Sequence, residues 1–388
     1  MAASVSGTIG FSDIALYLII QRFRLFSGCG DQIQASALEV DGVDRFAGRV
    51  RESARRERIR DRLVRELEVP PVQFNEKFNV TAAGFAVSNA INDLHLLAKS
   101  GAWSWHGRIV DQLVPPEHRS SVDALFDLTP LERIHYLLSY LEADGAAIVK
   151  YADILLRERE VTASALGKRA SEIIKSIIEE YLSIGLMPKE QRKWKNHLEN
   201  LRSKDYDAAT ELHKVLPHVL PLVHFGFLRA EGDMTSGYRF YVDSHQAMNP
   251  LREILNHFSD LRKLENSIMM SEEYFLVIPP LVLSDVRFAS PGTETVINEI
   301  LTSYENLRDT TTGLANLAAL ARFVYLRLLG KGFLVRPQGI RQKIEDLHRD
   351  NPSTIRYHVD GRGELRFVVI DINNARLQQR SPDAKHLT

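Results

Sequence analysis

Among the side chains able to do chemistry, cations form the clearest groups, and the chemistry they suit is anion binding. Lys189, Arg192, Lys193 and Lys195 stand around Trp194, and over residues 187–204 six basic residues face two acidic ones. Such cations hold phosphates, and an indole among them stacks on a base or sugar. A Trp seated on its own core has the same local sequence, so both readings stay open. Lys168, Arg169 and Lys175 form a second group, and Arg341, Lys343, Arg362 and Arg366 a third. Each group also fits a solvated face of mixed charge. The chain has 35 Arg against 14 Lys. Arg forks onto phosphate better than Lys does, but a GC-rich bacterial genome gives the same bias.

Catalytic patterns are missing. There is no Gly-rich loop ending in Lys-Ser or Lys-Thr, no GxGxxG after a strand, no GxSxG and no HExxH. His213, His218 and His224 cluster in sequence, but helical steps of five and six residues do not converge. His213 and His224 share a face while standing about 16 Å apart along the axis, so no metal site and no cofactor are expected. Cys29, the single cysteine, lies in the turn Ser27-Gly28-Cys29-Gly30 and excludes an internal disulfide and a cysteine-based zinc site. Arg-x4–6-His pairs, the signature of helical ribonucleases of the HEPN type, occur as Arg192/His197, Arg239/His245, Arg252/His257, Arg341/His348 and Arg380/His386. A chain this rich in Arg, with 13 His, generates such pairs by chance. A HEPN-like ribonuclease is therefore a minor alternative, and the expectation is a protein that is not an enzyme.

With 388 residues the chain is long enough for two or three cores. Its net charge of -1 gives no overall pull toward nucleic acid or membrane, so such partners must use local patches. The apolar run Ile14–Ile20 is too short to span a bilayer and reads as a buried helix. A cytoplasmic protein with no membrane partner is expected.

The elements that must position these cations are mostly helical. Nine arginines between 45 and 65 stand against Glu52, Glu57 and Asp61, around an apolar seam of Phe46, Val50, Ala54, Ile59 and Leu63. That spacing predicts a helix with a basic surface for DNA or an acidic protein. Thr81 to Leu94 reads as helix, turn and helix, with Ser88 as cap and small residues suited to packing. Thr129 and Pro130 open a helix that Asp144-Gly145 closes, and a second runs from Ala147 to about Arg159. Val161–Ser171 reads as a short helix and turn, before a long helix carrying Ile173, Ile174, Ile177, Ile178, Tyr181 and Leu182. Helices are expected at 293–309, 314–330 and 339–350. Strands are expected at Tyr238–Val242, Thr354–Val359 and Glu364–Ile370, the last two joined by the turn Asp360-Gly361-Arg362-Gly363. Tyr274–Ile278, stopped by Pro279-Pro280, reads as a buried strand able to pair with Tyr238–Val242. Four helix ends repeat one phrase, an apolar residue, Gly four positions on, then two apolar residues, at Gly101, Gly185, Gly226 and Gly332. Each suits a left-handed Gly cap.

Helix, short helix, turn, apolar third helix and then Tyr181 to Met187 resembles a winged-helix core over about 40 residues. The segment ending at Tyr238–Val242 and the three helices with a hairpin at the C-terminus have the same layout. The resemblance implies a mainly α fold with small β-hairpins, as tandem winged-helix-like modules joined by helical segments. Its expected divisions are an N-terminal helical domain at 1–125, a central module at 126–270, a C-terminal module at 271–375 and a flexible tail at 376–388. It further implies double-stranded DNA as partner, with Lys168, Arg169 and Lys175 at the start of a reading helix and Arg362 on a wing. The expected function is a non-enzymatic DNA-binding subunit of a larger bacterial complex. The alternative is a helical scaffold or adaptor for protein partners or its own copies, as in the accessory subunits of SMC complexes.

Overall fold

The computed structural model describes residues 128–185, 225–232, 237–242, 250–283, 285–309, 311–350, 352–359 and 365–379. Shorter pieces are described at 109–110, 112–113, 191–192, 195–196, 198–199, 215, 218–219 and 221–223. Helix dominates these residues, with two small antiparallel sheets of three strands each. The expected helix at Ile14–Ile20, Cys29, the Arg-rich helix at 45–65, the Thr81–Leu94 phrase and the Gly101 turn lie outside the described residues. Contacts divide the chain into two compact units, the first ending at Ser271 and the second running on from Glu272, with 109–110 and 112–113 belonging to the second.

The first unit opens with α1 (Pro130–Glu158). Its start is a capping box: the Thr129 hydroxyl accepts from the Glu132 N–H at 3.3 Å, and Glu132 accepts from the Thr129 N–H at 2.9 Å. Asp144-Gly145 does not close this helix. A Cβ at Gly145 would stand 3.1 Å from the Leu264 side chain, so this glycine permits close helix packing instead of capping an end. Strand β1 (Glu160–Thr162) follows, and Thr162 then caps α2 (Ala163–Ser183). Where a short helix and turn were expected before Ser171, α2 is unbroken. Ala163, Leu166, Gly167 and Ala170 extend the buried seam of Ile173, Ile177, Ile178 and Tyr181 back to the first turn. Small residues carry that half of the seam, which hid its period.

Strands β2 (Arg229–Glu231) and β3 (Arg239–Tyr241) complete the sheet in the order β1-β3-β2. Strand β3 therefore pairs Glu160–Thr162 and Arg229–Glu231, not Tyr274–Ile278. At the expected Gly226 cap, φ is 78°, and the Phe227 N–H reaches back to the Leu222 carbonyl at 2.9 Å. Helices α3 (Pro250–Phe258) and α4 (Leu261–Asn266), then one π turn at Ser267–Ser271, end the unit. Glu180 ties three helices together: it accepts from Lys150 on α1 at 2.7 Å and from the Leu261 N–H of α4 at 3.1 Å.

The second unit begins with α5 (Tyr274–Val282), a helix where a strand was expected. Pro279 and Pro280 lie inside it. A proline there leaves the carbonyl four residues earlier without its helical donor. For Pro279 that carbonyl belongs to Phe275, and the buried Tyr325 hydroxyl donates to it at 2.8 Å. Burial raises the pKa of this hydroxyl well above its ordinary value, keeping it a donor. Tyr325→Phe will destabilise the unit by about 1–2 kcal/mol, because both the carbonyl and its desolvation remain. Urea unfolding measures this, and an unchanged midpoint refutes the account of α5.

Then come α6 (Thr293–Leu307), β4 (Ala315–Asn316), α7 (Leu317–Gly330), α8 (Pro337–Asp350), β5 (Ile355–Val359), β6 (Leu365–Ile370) and α9 (Ile372–Gln379). The sheet order is β4-β6-β5. Its first strand falls between two helices and pairs with its last, as in the first unit. Helix α9 reaches into the stretch expected as a tail from 376. Gly332, with φ 78°, caps α7. The chain leaving it bridges Ala289 and enters α8, so this Gly precedes a helix and not the hairpin.

Candidate nucleic-acid interface

Helix α8 and the β5–β6 hairpin are consecutive, and their packing fixes the position of each outward side chain. Ile340 and Ile344 of α8 are wholly buried. With that face inward, Gln338, Gln342, Glu345 and Arg349 are exposed. Their steps of four, three and four residues form a single stripe. Amides, a carboxylate and a guanidinium are the groups that read base edges: Gln suits adenine, Glu cytosine and Arg guanine. Arg349 is 72 % exposed and lies 3.5 Å from Asp346, an exposed pair that holds it weakly. Gln342 also donates to Asp346, at 3.3 Å.

The hairpin is joined to the end of this helix. His348 Nδ1 lies 2.6 Å from the Ile355 carbonyl, and its ring meets Tyr357 edge-on at 5.0 Å. Burial, with the carboxylates of Glu345 and Asp346, pushes the Tyr357 hydroxyl up to about 12. Ile355, Val368 and Ile370 turn inward, while Arg356 and His358 on β5 and Arg366 on β6 are exposed. Among the described residues no ion pair joins Arg356 or His358 to an acid. Val359 and Leu365 face each other across the two strands, 58 % and 55 % exposed. The Asp360–Gly363 turn and its Arg362 lie outside the described residues.

Of the other expected contacts in this unit, Lys343 is half-buried on α8. Arg341 is committed elsewhere. Its guanidinium pairs with Glu272, whose second oxygen accepts from the Gln338 N–H at 2.6 Å. The stripe of Gln338, Gln342, Glu345 and Arg349 holds a single cation, so clustered positive charge does not mark it in the sequence. The signal that would have found it is the polar face left over when Ile340 and Ile344 are placed inside.

In the first unit the expected cations have a different setting. Lys168 and Arg169 stand in the body of α2, not in a turn before a reading helix. Arg169 is paired with Glu158 of α1. Lys168 is exposed and Lys175 half-buried. Arg192 and Lys195 are exposed in short helical pieces, while Lys189, Lys193 and Trp194 lie outside the described residues. On the first sheet Arg239 donates to Glu160 at 3.1 Å, and the neutral Tyr241 hydroxyl donates to Glu231 at 3.0 Å.

No described group of three His, Cys, Asp or Glu could hold a metal ion. His218 is 7 % exposed and stacks on Tyr151 at 5.4 Å. Its sequence neighbours His213 and His224 lie outside the described residues. Arg252 and His257 are both exposed on α3, and five residues apart they diverge by about 140° around the axis. No described helix is long and apolar enough to cross a membrane. Compared with protein-family models, curated proteins and solved structures, the chain matches none.

Proposed function

We propose that the C-terminal unit is a winged-helix domain that contacts duplex DNA, with α8 as the reading helix and β5–β6 as the wing. The observation that carries this reading is the polar stripe of α8, set directly before a hairpin bearing Arg356, His358 and Arg366. The order helix, strand, helix, helix, strand, strand supports it, with the first strand pairing the last. The first unit has the same sheet order and fits a second module of this kind. The protein is then a non-enzymatic, DNA-associated component of a bacterial complex acting in the cytoplasm.

A second reading assigns the first unit to protein docking. Its sheet pairs Arg239 with Glu160 and sets a second acid, Glu231, on the Tyr241 hydroxyl, so acids offset the positive charge that a phosphate would need. The two roles are compatible in one adaptor that holds DNA with one unit and a partner with the other.

The test is titration of the full chain against random-sequence duplex at low and moderate salt. Arg356, Arg366 and Lys343 offer cations for phosphate, and each phosphate neutralised contributes a slope of about -0.9 in log K against log salt. A slope of about -3 is expected. Absence of binding at low salt, with the chain folded, refutes the assignment.

A further inference from the structure

The cation beside the reading face of α8 is already held by an acid of the same unit. Glu272 is 8 % exposed, and its φ of 52° lies in the left-handed region that residues with a Cβ seldom enter. Its Oε2 accepts from the Gln338 N–H at 2.6 Å, and its Oε1 from the Arg341 guanidinium. Both donors belong to the first turns of α8. The Arg341 side chain is 33 % exposed and that of Glu272 is 11 % exposed, so the guanidinium reaches solvent and the acid lies beneath it. Three residues after Gln338, Arg341 stands about 60° around the axis from the outward stripe. With the stripe in a groove, backbone phosphates run along such a flank.

We propose that the Glu272–Arg341 ion pair is an autoinhibitory contact. It withholds a cation from DNA at the edge of α8, and its release adds a phosphate contact. This rests on the DNA reading above. The donors that Glu272 engages, a backbone N–H and a guanidinium, are the kinds that hold a phosphate oxygen. Carboxylate and phosphate therefore compete for Arg341. An ion pair that solvent reaches from the arginine side can yield to a polyanion whose binding also releases counterions.

The test uses Glu272→Gln, which keeps the N–H contact and removes the charge, and Glu272→Gly, which removes the side chain and accepts the positive φ. Each is titrated against random-sequence duplex at two salt concentrations, alone and combined with Arg341→Ala, with thermal unfolding as the check on folding. Both Glu272 variants should bind several-fold more tightly than the parent, with a salt slope steeper by about one phosphate. Arg341→Ala should change the parent little and abolish the gain in either variant. If the gain survives without Arg341, it reflects only lost negative charge and the proposal fails. If the parent binds and neither variant is tighter, or if neither variant folds, the contact is structural; the proposal falls while the DNA assignment stands. If no form binds DNA, both fall together.

Discussion

Replacing Gln342 and Arg349 together by alanine will lower affinity for a preferred duplex by about 3 kcal/mol, roughly a hundredfold. Both side chains are exposed on α8, so the substitution removes contacts without opening a core. A well-placed bidentate base contact contributes about 1–3 kcal/mol of discrimination, and this change removes two candidates at once. The loss should be largest for the preferred sequence and small for random duplex, because base contacts carry sequence information and phosphate contacts do not. Lys168→Ala with Arg169→Ala is the comparison. Arg169 is paired with Glu158 and both residues stand mid-helix, so this change should leave affinity within about 0.5 kcal/mol, as for an ordinary surface substitution. Fluorescence anisotropy with a selected duplex reads both. Equal losses from the two pairs would remove the distinction between the units, and no loss from Gln342 and Arg349 would remove α8 from the interface.

Acid will loosen the C-terminal unit through Glu299. This carboxylate on α6 is 3 % exposed, accepts from Arg327 of α7 at 2.6 Å, and pairs with Lys331 at the end of that helix. Burial pushes its pKa upward, but the hydrogen bonds and charges of Lys331 and Arg327 outweigh burial and hold it below the ordinary carboxylate value. The folded state therefore binds this proton less readily than the unfolded chain. The resulting stability is fully present above the unfolded pKa of about 4.3 and is lost as pH falls through the lower folded value. Glu299→Gln should cost about 2 kcal/mol at neutral pH, between the values for exposed and buried pairs. It should also flatten the stability profile at acid pH. Urea unfolding of both proteins from neutral pH down to about pH 3 tests this, because it spans the carboxylate range. Parallel profiles would mean that Glu299 does not couple to folding.

Elements with strong local signals were readable from residue order. Thr129, Pro130 and Glu132 mark the start of α1 because capping chemistry is local. Gly185, Gly226 and Gly332 all adopt positive φ, as their place after apolar helix ends implied. The long strands of the C-terminal hairpin carry enough alternation to be seen. Strands β1 and β4 are only three and two residues long, too short for any period, and exist because β3 and β6 pair with them. Gly145 and Pro279 misled for a common reason. Each has a local meaning, helix end or strand stop, that a distant side chain overrides: Leu264 needs the space at Gly145, and Tyr325 supplies the donor that Pro279 lacks.

The candidate interface divides in the same way. The basic residues Arg341, Lys343 and Arg366 could be named from residue type alone. That Arg341 answers to Glu272, 69 positions away, could not. Nor could the exposure of Gln338, Gln342, Glu345 and Arg349 as one stripe, which depends on Ile340 and Ile344 being the inward face. Residue order by itself determined helix content, cap positions, the C-terminal hairpin and the supply of cations, because these follow from contacts within a few residues. Only the tertiary structure decided the sheet order, the unbroken courses of α1 and α2, and which cations already hold an acid. Those depend on pairings between distant segments, whose free energy local sequence does not record.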